Sequence, residues 1–144
     1  MIKNYLKHIY NKMSIKYEGS YLNGKKHGIG KLTIQNMFFY EGEFIEDKME
    51  GIGKKTWVNN YRIYIGEFKD NEPQGTGKLT YLNGDIYEGE FENGEPHGKG
   101  IYKFGNFVYD GEFRDGTFNG EGILTDKIKN KIFNVSCKDG KMIF

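Results

Sequence analysis

Apolar and polar residues alternate in five similar segments of the chain. Residues 87–91 read YEGEF, so that two aromatic residues and a glycine occupy every second position and glutamates stand between them. A period of two places these two sets on opposite faces of a β-strand. The five segments begin at intervals of 23, 24, 23 and 22 residues, with Tyr17, Tyr40, Tyr64, Tyr87 and Tyr109. A nearly fixed interval of this length is typical of a repeat array.

Turn signals divide each repeat into two strands. Asn23-Gly24, Asn93-Gly94 and Asp115-Gly116 are dipeptides that favour two-residue β-hairpin turns. The second strand of a repeat follows a Gly-x-Gly, as at residues 98–100. We therefore predict an all-β fold, a single-layer antiparallel meander of repeated β-hairpins with about eleven strands. The predicted repeats are residues 17–39, 40–63, 64–86, 87–108 and 109–132.

Residues 133–144 are similar to the first half of a further repeat. Phe133 takes the place of the tyrosine, Val135 that of the glycine and Cys137 that of the second aromatic residue. Terminal repeats usually depart from the consensus, since one of their sides meets solvent. We predict that this degenerate half-repeat supplies a capping strand.

Residues 1–16 precede the repeats and are basic. Ile2, Leu6, Ile9 and Met13 have the spacing of residues on one face of a helix. The segment contains no acidic residue, and its lysines are Lys3, Lys7, Lys12 and Lys16. We predict a short amphipathic helix that covers one end of the array. The alternatives are a membrane-surface helix, a helix that binds a partner and a mitochondrial targeting segment.

Glycine occupies three equivalent positions in every repeat, which in the fourth repeat are Gly89, Gly98 and Gly100. Glycine inside a strand normally weakens it. Fifteen glycines in register therefore indicate a packing requirement. We predict that the aromatic rings lie flat over glycines of neighbouring strands, where no Cβ obstructs them.

Composition and charge narrow the class of protein. The net charge of +1 over 144 residues gives no general attraction to nucleic acid, and we expect no nucleic-acid partner. The five repeats carry net charges of +2, −1, −2, −2 and −1, so the chain is basic at its start and mildly acidic afterwards. Cys137 is the single cysteine, which favours a reducing compartment and a cytoplasmic location. No apolar run reaches the length of a membrane span.

The motifs that resemble catalytic or ligand sites fit structural roles better. Residues 28–33 (GIGKLT) resemble a phosphate-binding loop, but such a loop needs Ser or Thr directly after its lysine and then a helix. The three histidines and one cysteine do not suggest a zinc site. We expect Glu43, Glu67, Glu90 and Glu112 to form a solvated ladder paired with Lys54, Lys78 and their neighbours. We therefore predict no catalytic residue, cofactor or metal, and a protein that is not an enzyme.

The pattern YEGEF…NG…HGKG over residues 17–133 resembles the MORN (membrane occupation and recognition nexus) repeat family. The chain departs from it at Ser20, Tyr21 and Ile65, and Glu46-Asp47 replaces a turn that normally contains glycine. The resemblance implies a rolled, single-layer sheet that serves as a scaffold or adaptor. It also implies a place in cytoskeletal, ciliary or membrane-associated assemblies, and some members dimerise end to end.

Two surfaces are candidates for binding. The first is the aromatic face, which would dock a protein partner through Tyr40, Phe44, Trp57, Tyr64, Phe68, Tyr87 and Phe91. For each ring, the alternative is that it only covers glycines. The second surface is the basic end, which would bind acidic phospholipids through Lys3, Lys7, Lys12, Lys16, Lys25, Lys26 and Lys31. The identity of the partner and the oligomeric state are not predicted.

Overall fold

The computed structural model describes residues 14–143, which form one open antiparallel sheet. Its twelve strands lie side by side in the order in which they occur along the chain. They are β1 (Ile15–Leu22), β2 (Lys25–Ile34), β3 (Phe38–Ile45), β4 (Lys48–Trp57), β5 (Arg62–Lys69), β6 (Glu72–Thr80), β7 (Ile86–Glu92), β8 (Glu95–Phe104), β9 (Phe107–Arg114), β10 (Thr117–Asp126), β11 (Lys131–Lys138) and β12 (Lys141–Ile143).

The predicted all-β meander of hairpins is confirmed, with twelve strands in the described residues instead of about eleven. The additional strand is β12, which pairs with the half-repeat strand β11. Most of the predicted N-terminal helix lies outside the described residues. At its end the prediction is wrong, since Ile15 and Lys16 belong to β1, where they pair with Ile34 and Thr33 of β2.

The hairpin turns within repeats share one geometry although their residues differ. Both turn residues have positive φ, at 50° and 84° for Asn93-Gly94 and at 50° and 77° for Asp70-Asn71. Asn71 Oδ1 accepts a hydrogen bond at 3.0 Å from the backbone N–H of Met49 in the preceding repeat. The residue equivalent to Met49 below Gly94 is Pro73, which has no N–H to donate. Asn71 therefore stands over a residue that offers an N–H donor, and Gly94 stands over a proline that offers none.

Glycines of neighbouring strands stand directly opposite one another. They form an unbroken row from β1 to β10: Gly19, Gly30, Gly42, Gly53, Gly66, Gly77, Gly89, Gly100, Gly111 and Gly122. The Tyr87 ring lies over two of them. A Cβ on Gly100 would be 2.4 Å from that ring, and one on Gly89 would be 2.5 Å from the Gly100 Cα. These separations confirm the predicted packing of rings over glycines.

The hydroxyl group of each such tyrosine is fixed by a backbone carbonyl. Tyr87 Oη donates a hydrogen bond to the carbonyl oxygen of Glu90 at 2.8 Å. The equivalent bonds, from Tyr40 to Glu43 and from Tyr64 to Glu67, are 2.9 Å long. Burial raises the pKa of Tyr40, Tyr64 and Tyr87 well above that of free tyrosine. The three hydroxyl groups therefore stay protonated and act as donors.

The tyrosine and phenylalanine rings contact one another edge to face along the sheet. Tyr64 contacts Phe68 of its own strand and Phe91 of the next repeat, with ring centroids 5.1 and 4.8 Å apart. The same two contacts recur at Tyr40 and Tyr87. Edge-to-face pairs contribute about 0.5–1.5 kcal/mol beyond area burial. Within residues 14–143, this aromatic ladder is the core of a sheet that has no second layer.

The aromatic ladder and the glycine row end in the half-repeat. Val135 stands opposite Gly122, where the next glycine would be, and only 1% of it is exposed. Cys137, in the place of the next phenylalanine, is buried as well. A valine side chain therefore fills the position that glycine leaves open for a ring in the other repeats.

Glu43, Glu67 and Glu90, each of which precedes a phenylalanine, have a structural role that was not predicted from the sequence. Glu67 Oε1 accepts hydrogen bonds from the N–H of Thr76 at 2.9 Å and from its hydroxyl at 2.6 Å. These bonds lower the pKa of Glu67. Glu43 and Glu90 accept the equivalent N–H bonds from Ile52 and Lys99. The predicted pairing with lysine is wrong for these carboxylates, because they bond the backbone just after the positive-φ glycine, and Lys78 pairs with Glu88.

We expect Gly89→Val to destabilise the protein by more than about 1 kcal/mol, because an added side chain would collide with the backbone of β8 and displace the Tyr87 ring. Gly24→Asn is the control. Nothing lies within 4 Å of a Cβ on Gly24, whose φ of 77° equals that of Asn71. Thermal melts of both variants check this. An unchanged midpoint for Gly89→Val would contradict the packing described here.

Candidate functional site

The six predicted aromatic anchors lie together on one face, but almost no surface of them is exposed. Their exposed fractions are 0–3%, and the six are Tyr40, Phe44, Tyr64, Phe68, Tyr87 and Phe91. Their rings form the aromatic ladder, so they build the floor of the face. Trp57, the seventh predicted anchor, is only half-buried.

A second row of side chains on this face reaches solvent. We call it the outer row; it lies beside the tyrosines, on the side away from the phenylalanines. Its members from β3 to β10 are Phe38, Trp57, Arg62, Phe104 and Phe107 of the strands, Tyr81 and Asp85 between β6 and β7, and Asp126, the one buried member. Strand pairing sets Phe38 opposite Trp57, Trp57 opposite Arg62, and Phe104 opposite Phe107. The outer row is therefore rich in rings that a partner could contact.

A cleft of about 240 Å³ opens on the aromatic face in the second half of the array. Tyr81, Tyr102, Phe113 and Phe118 line it together with the fully buried Tyr87. The turn residues Gly116 and Gly140 and the first residue of β10, Thr117, border it. An apolar cleft with few polar groups is typical of a site that receives aliphatic or aromatic side chains.

Lys55 is a buried cation in the first half of the same face. It is 6% exposed and lies in the row of the tyrosines, between Tyr40 and Tyr64 on the neighbouring strands. Its Nζ atom is 4.6 Å from the ring centroid of Phe38 and 5.1 Å from that of Trp57. Both distances are those of cation–π contacts.

Arg62 lies against the same indole ring. Its guanidinium carbon is 5.2 Å from the centroid of Trp57, and its Nε atom is buried without a hydrogen-bond partner in the described structure. A shallow cleft of about 320 Å³ lies beside it, lined also by Asn60, Tyr81, Leu82 and Asn83. We call Phe38, Lys55, Trp57 and Arg62 the cationic patch.

No carboxylate of the described residues forms an ion pair with Lys55 or Arg62. Burial lowers the pKa of Lys55, and the more distant Glu72 opposes that shift. The acidic members of the outer row, in contrast, have partners. Asp85 accepts a hydrogen bond from the hydroxyl group of Tyr102 at 2.8 Å, and Asp126 accepts from two backbone N–H groups at 3.0 Å. Both carboxylates are therefore held by neutral hydrogen-bond donors, whereas neither cation of the cationic patch has an ion-pair partner among the described residues.

The described lysines of the predicted lipid-binding end are paired with carboxylates. Lys25 pairs with Glu46 and Lys26 with Asp47, both at 3.2 Å, and Lys31 pairs with Glu41 at 3.1 Å. Lys16 pairs with Glu18. Lys3, Lys7 and Lys12 lie outside the described residues. Exposed pairs of this kind are weak, but each places a negative charge beside a lysine.

Lys55 was not among the residues predicted from the sequence, although the repeats contain a signal for it. Lys55 stands two residues after Gly53, and the equivalent residues of the other repeats are Leu32, Leu79, Tyr102 and Leu124. A lysine in a row of apolar residues marks a local change of chemistry. Arg62, Tyr81 and Tyr102 were missed because their roles depend on the face to which the strands turn them.

Residues 14–143 contain no helix that could span a membrane. The same residues hold no cluster of three or more His, Cys, Asp or Glu side chains placed to bind a metal ion.

The five repeats match the model of a known protein family. The family model described as the MORN repeat matches residues 17–36, 40–60, 64–86, 87–107 and 109–130. The chain belongs to the MORN repeat family. MORN repeats indicate a repeat scaffold, and the family is generally non-catalytic. No curated protein matches the chain closely enough to be identified as a relative.

We expect Lys55→Leu to stabilise this MORN array by about 0.5–2 kcal/mol at neutral pH, since leucine is the residue of other repeats at this position. The folded-state pKa of Lys55 is lowered, so the unfolded chain binds more protons between the two pKa values and wild-type stability rises with pH there. The advantage of the variant should therefore shrink as the pH rises toward the ordinary lysine range. Urea unfolding of both proteins across that range measures the difference. A destabilised variant would contradict the cost assigned to the buried lysine.

Proposed function

We propose that this MORN array is a non-enzymatic scaffold that docks a segment of a protein partner on its aromatic face. The observation that carries the proposal is that two sets of aromatic side chains on that face have different roles. The rings of the aromatic ladder are buried within the fold, whereas the outer row and the cleft lined by Tyr102 and Phe118 leave aromatic surface at solvent. Aromatic side chains beside a preformed cleft are typical of protein-binding hot spots.

The proposed role is that of an adaptor within a larger cytoskeletal, ciliary or membrane-associated assembly. The membership of the MORN family supports a scaffold, and the finer assignment is our hypothesis. A cytoplasmic location, association with cytoskeleton, cilium or membrane, a mitochondrial alternative and an end-to-end homodimer stay predictions. Lipid binding by the basic end is the alternative function, and it depends mainly on Lys3, Lys7 and Lys12.

Purification of the tagged protein from its source cell with a high-salt wash tests the proposal. We expect a stoichiometric protein partner that survives the wash, because burial of apolar surface is not weakened by salt. Thr117→Arg, at the border of the cleft, should release that partner. Ile123→Arg is the control, since Ile123 is 45% exposed on the opposite face.

Two results would contradict docking on the aromatic face. One is recovery of membranes alone, with no stoichiometric protein. The other is a partner that both variants retain, or that Ile123→Arg releases and Thr117→Arg does not.

A further inference from the structure

The cationic patch has a feature that the fold does not require. Four of the five repeats place leucine or tyrosine in the row that Lys55 occupies. Burial of a charge without a counter-ion is unfavourable, and buried cations in proteins are usually paired. The contacts with the rings of Phe38 and Trp57 offset only part of that cost.

Within residues 14–143, the carboxylate that acts on Lys55 is the more distant Glu72, which forms no ion pair with it. Among residues 14–143, neither Lys55 nor Arg62 has a carboxylate within ion-pair distance, and residues 1–13 contain no Asp or Glu. The buried Nε of Arg62 has no hydrogen-bond acceptor in the part of the chain that the structure describes. Both cations contact one indole ring, so they belong to a single patch beside a shallow cleft.

We propose that Lys55 and Arg62 bind an aspartate or glutamate side chain of the docked protein segment, with Trp57 packed against it. This inference rests on the proposed function, and it adds the chemistry of the partner. The occupant is an acidic amphipathic segment, whose apolar side chains fill the cleft at Tyr81, Tyr102 and Phe118. Its carboxylate lies at the cationic patch and sets the register of the segment along the array.

A carboxylate on a side chain suits this position better than the headgroups of a membrane. Lys55 is 6% exposed and lies in the tyrosine row of the face, beside the outer row, so a flat anionic surface would not reach it. The second to fifth repeats carry net negative charge, which disfavours contact of the array with an acidic membrane. A single side chain that enters from a docked segment meets neither obstacle.

The test begins with selection of random displayed peptides on the immobilised full-length protein, and in parallel on the Lys55→Leu and Arg62→Gln variants. We expect wild-type protein to enrich peptides with Asp or Glu at a fixed distance from aliphatic or aromatic residues. Lys55→Leu should fold, because leucine stands at equivalent positions, and should enrich apolar residues without the fixed acid. Lys54→Leu is the matched control, because Lys54 is the adjacent lysine on the opposite face.

Affinities of one enriched peptide then measure the contact directly. Trp57 is the only tryptophan, so its fluorescence reports binding at the patch. Changing the peptide's acid to Gln or Asn should weaken binding to wild type by about tenfold or more, the value expected for a charge-assisted hydrogen bond. The same change should have little effect on the affinity of the Lys55→Leu variant, because that variant already lacks the contact between the peptide's acid and Lys55. The Lys54→Leu control should behave as the wild type does.

The outcomes separate the two claims. Peptides that bind at the cleft without an acidic residue, or equally well after its removal, would overturn the carboxylate site and leave docking intact. Failure of every protein to enrich any peptide would overturn docking as well. Lys55-dependent binding of phosphatidylserine vesicles without peptide enrichment would show that the anion is a lipid headgroup, and would also overturn the proposal.

Discussion

A tyrosine ring over two glycines is the interaction on which this sheet depends. A sheet normally buries an apolar face against another layer, and residues 14–143 contain a single sheet. Here the ring of Tyr64 lies over Gly66 and Gly77, and its edge meets Phe68 and Phe91. The aromatic side chains of the sheet cover its own apolar face, because the glycines leave room for the tyrosine rings to lie against the backbone.

This solution determines which residues are available for binding. The rings that cover glycines are almost fully buried, so a partner meets the outer row instead. In that row the repeats differ from one another, whereas the ladder below is nearly uniform. Trp57 and Arg62 have no aromatic-cation equivalent in the fourth repeat, where Phe104 and Phe107 stack at 5.6 Å. A repetitive core thus supports a surface whose chemistry changes along the array.

The sequence predicted the repeats, the hairpins and the packing of rings over glycine, since each follows from a local pattern. Contacts between distant residues were not predictable in this way. Glu67 was assigned to a solvated ladder, and its bond to the N–H of Thr76 appears only once the bulge at the positive-φ Gly75 is seen. The match between Asn71 and Met49 likewise joins successive repeats. Lys55 was visible as an exception in the pattern, but its two aromatic neighbours come from the fold.

The glycine Hα chemical shifts, measured by NMR, test the central claim most directly. A proton that faces an aromatic ring is shifted upfield, and Gly53, Gly77 and Gly100 all lie under tyrosine rings. Our account predicts strong upfield shifts for these three, and ordinary shifts for the turn residues Gly24 and Gly84, which have no neighbour within 4 Å of a Cβ. Equal shifts in the two groups would contradict it, because the rings would then not lie over the glycine row.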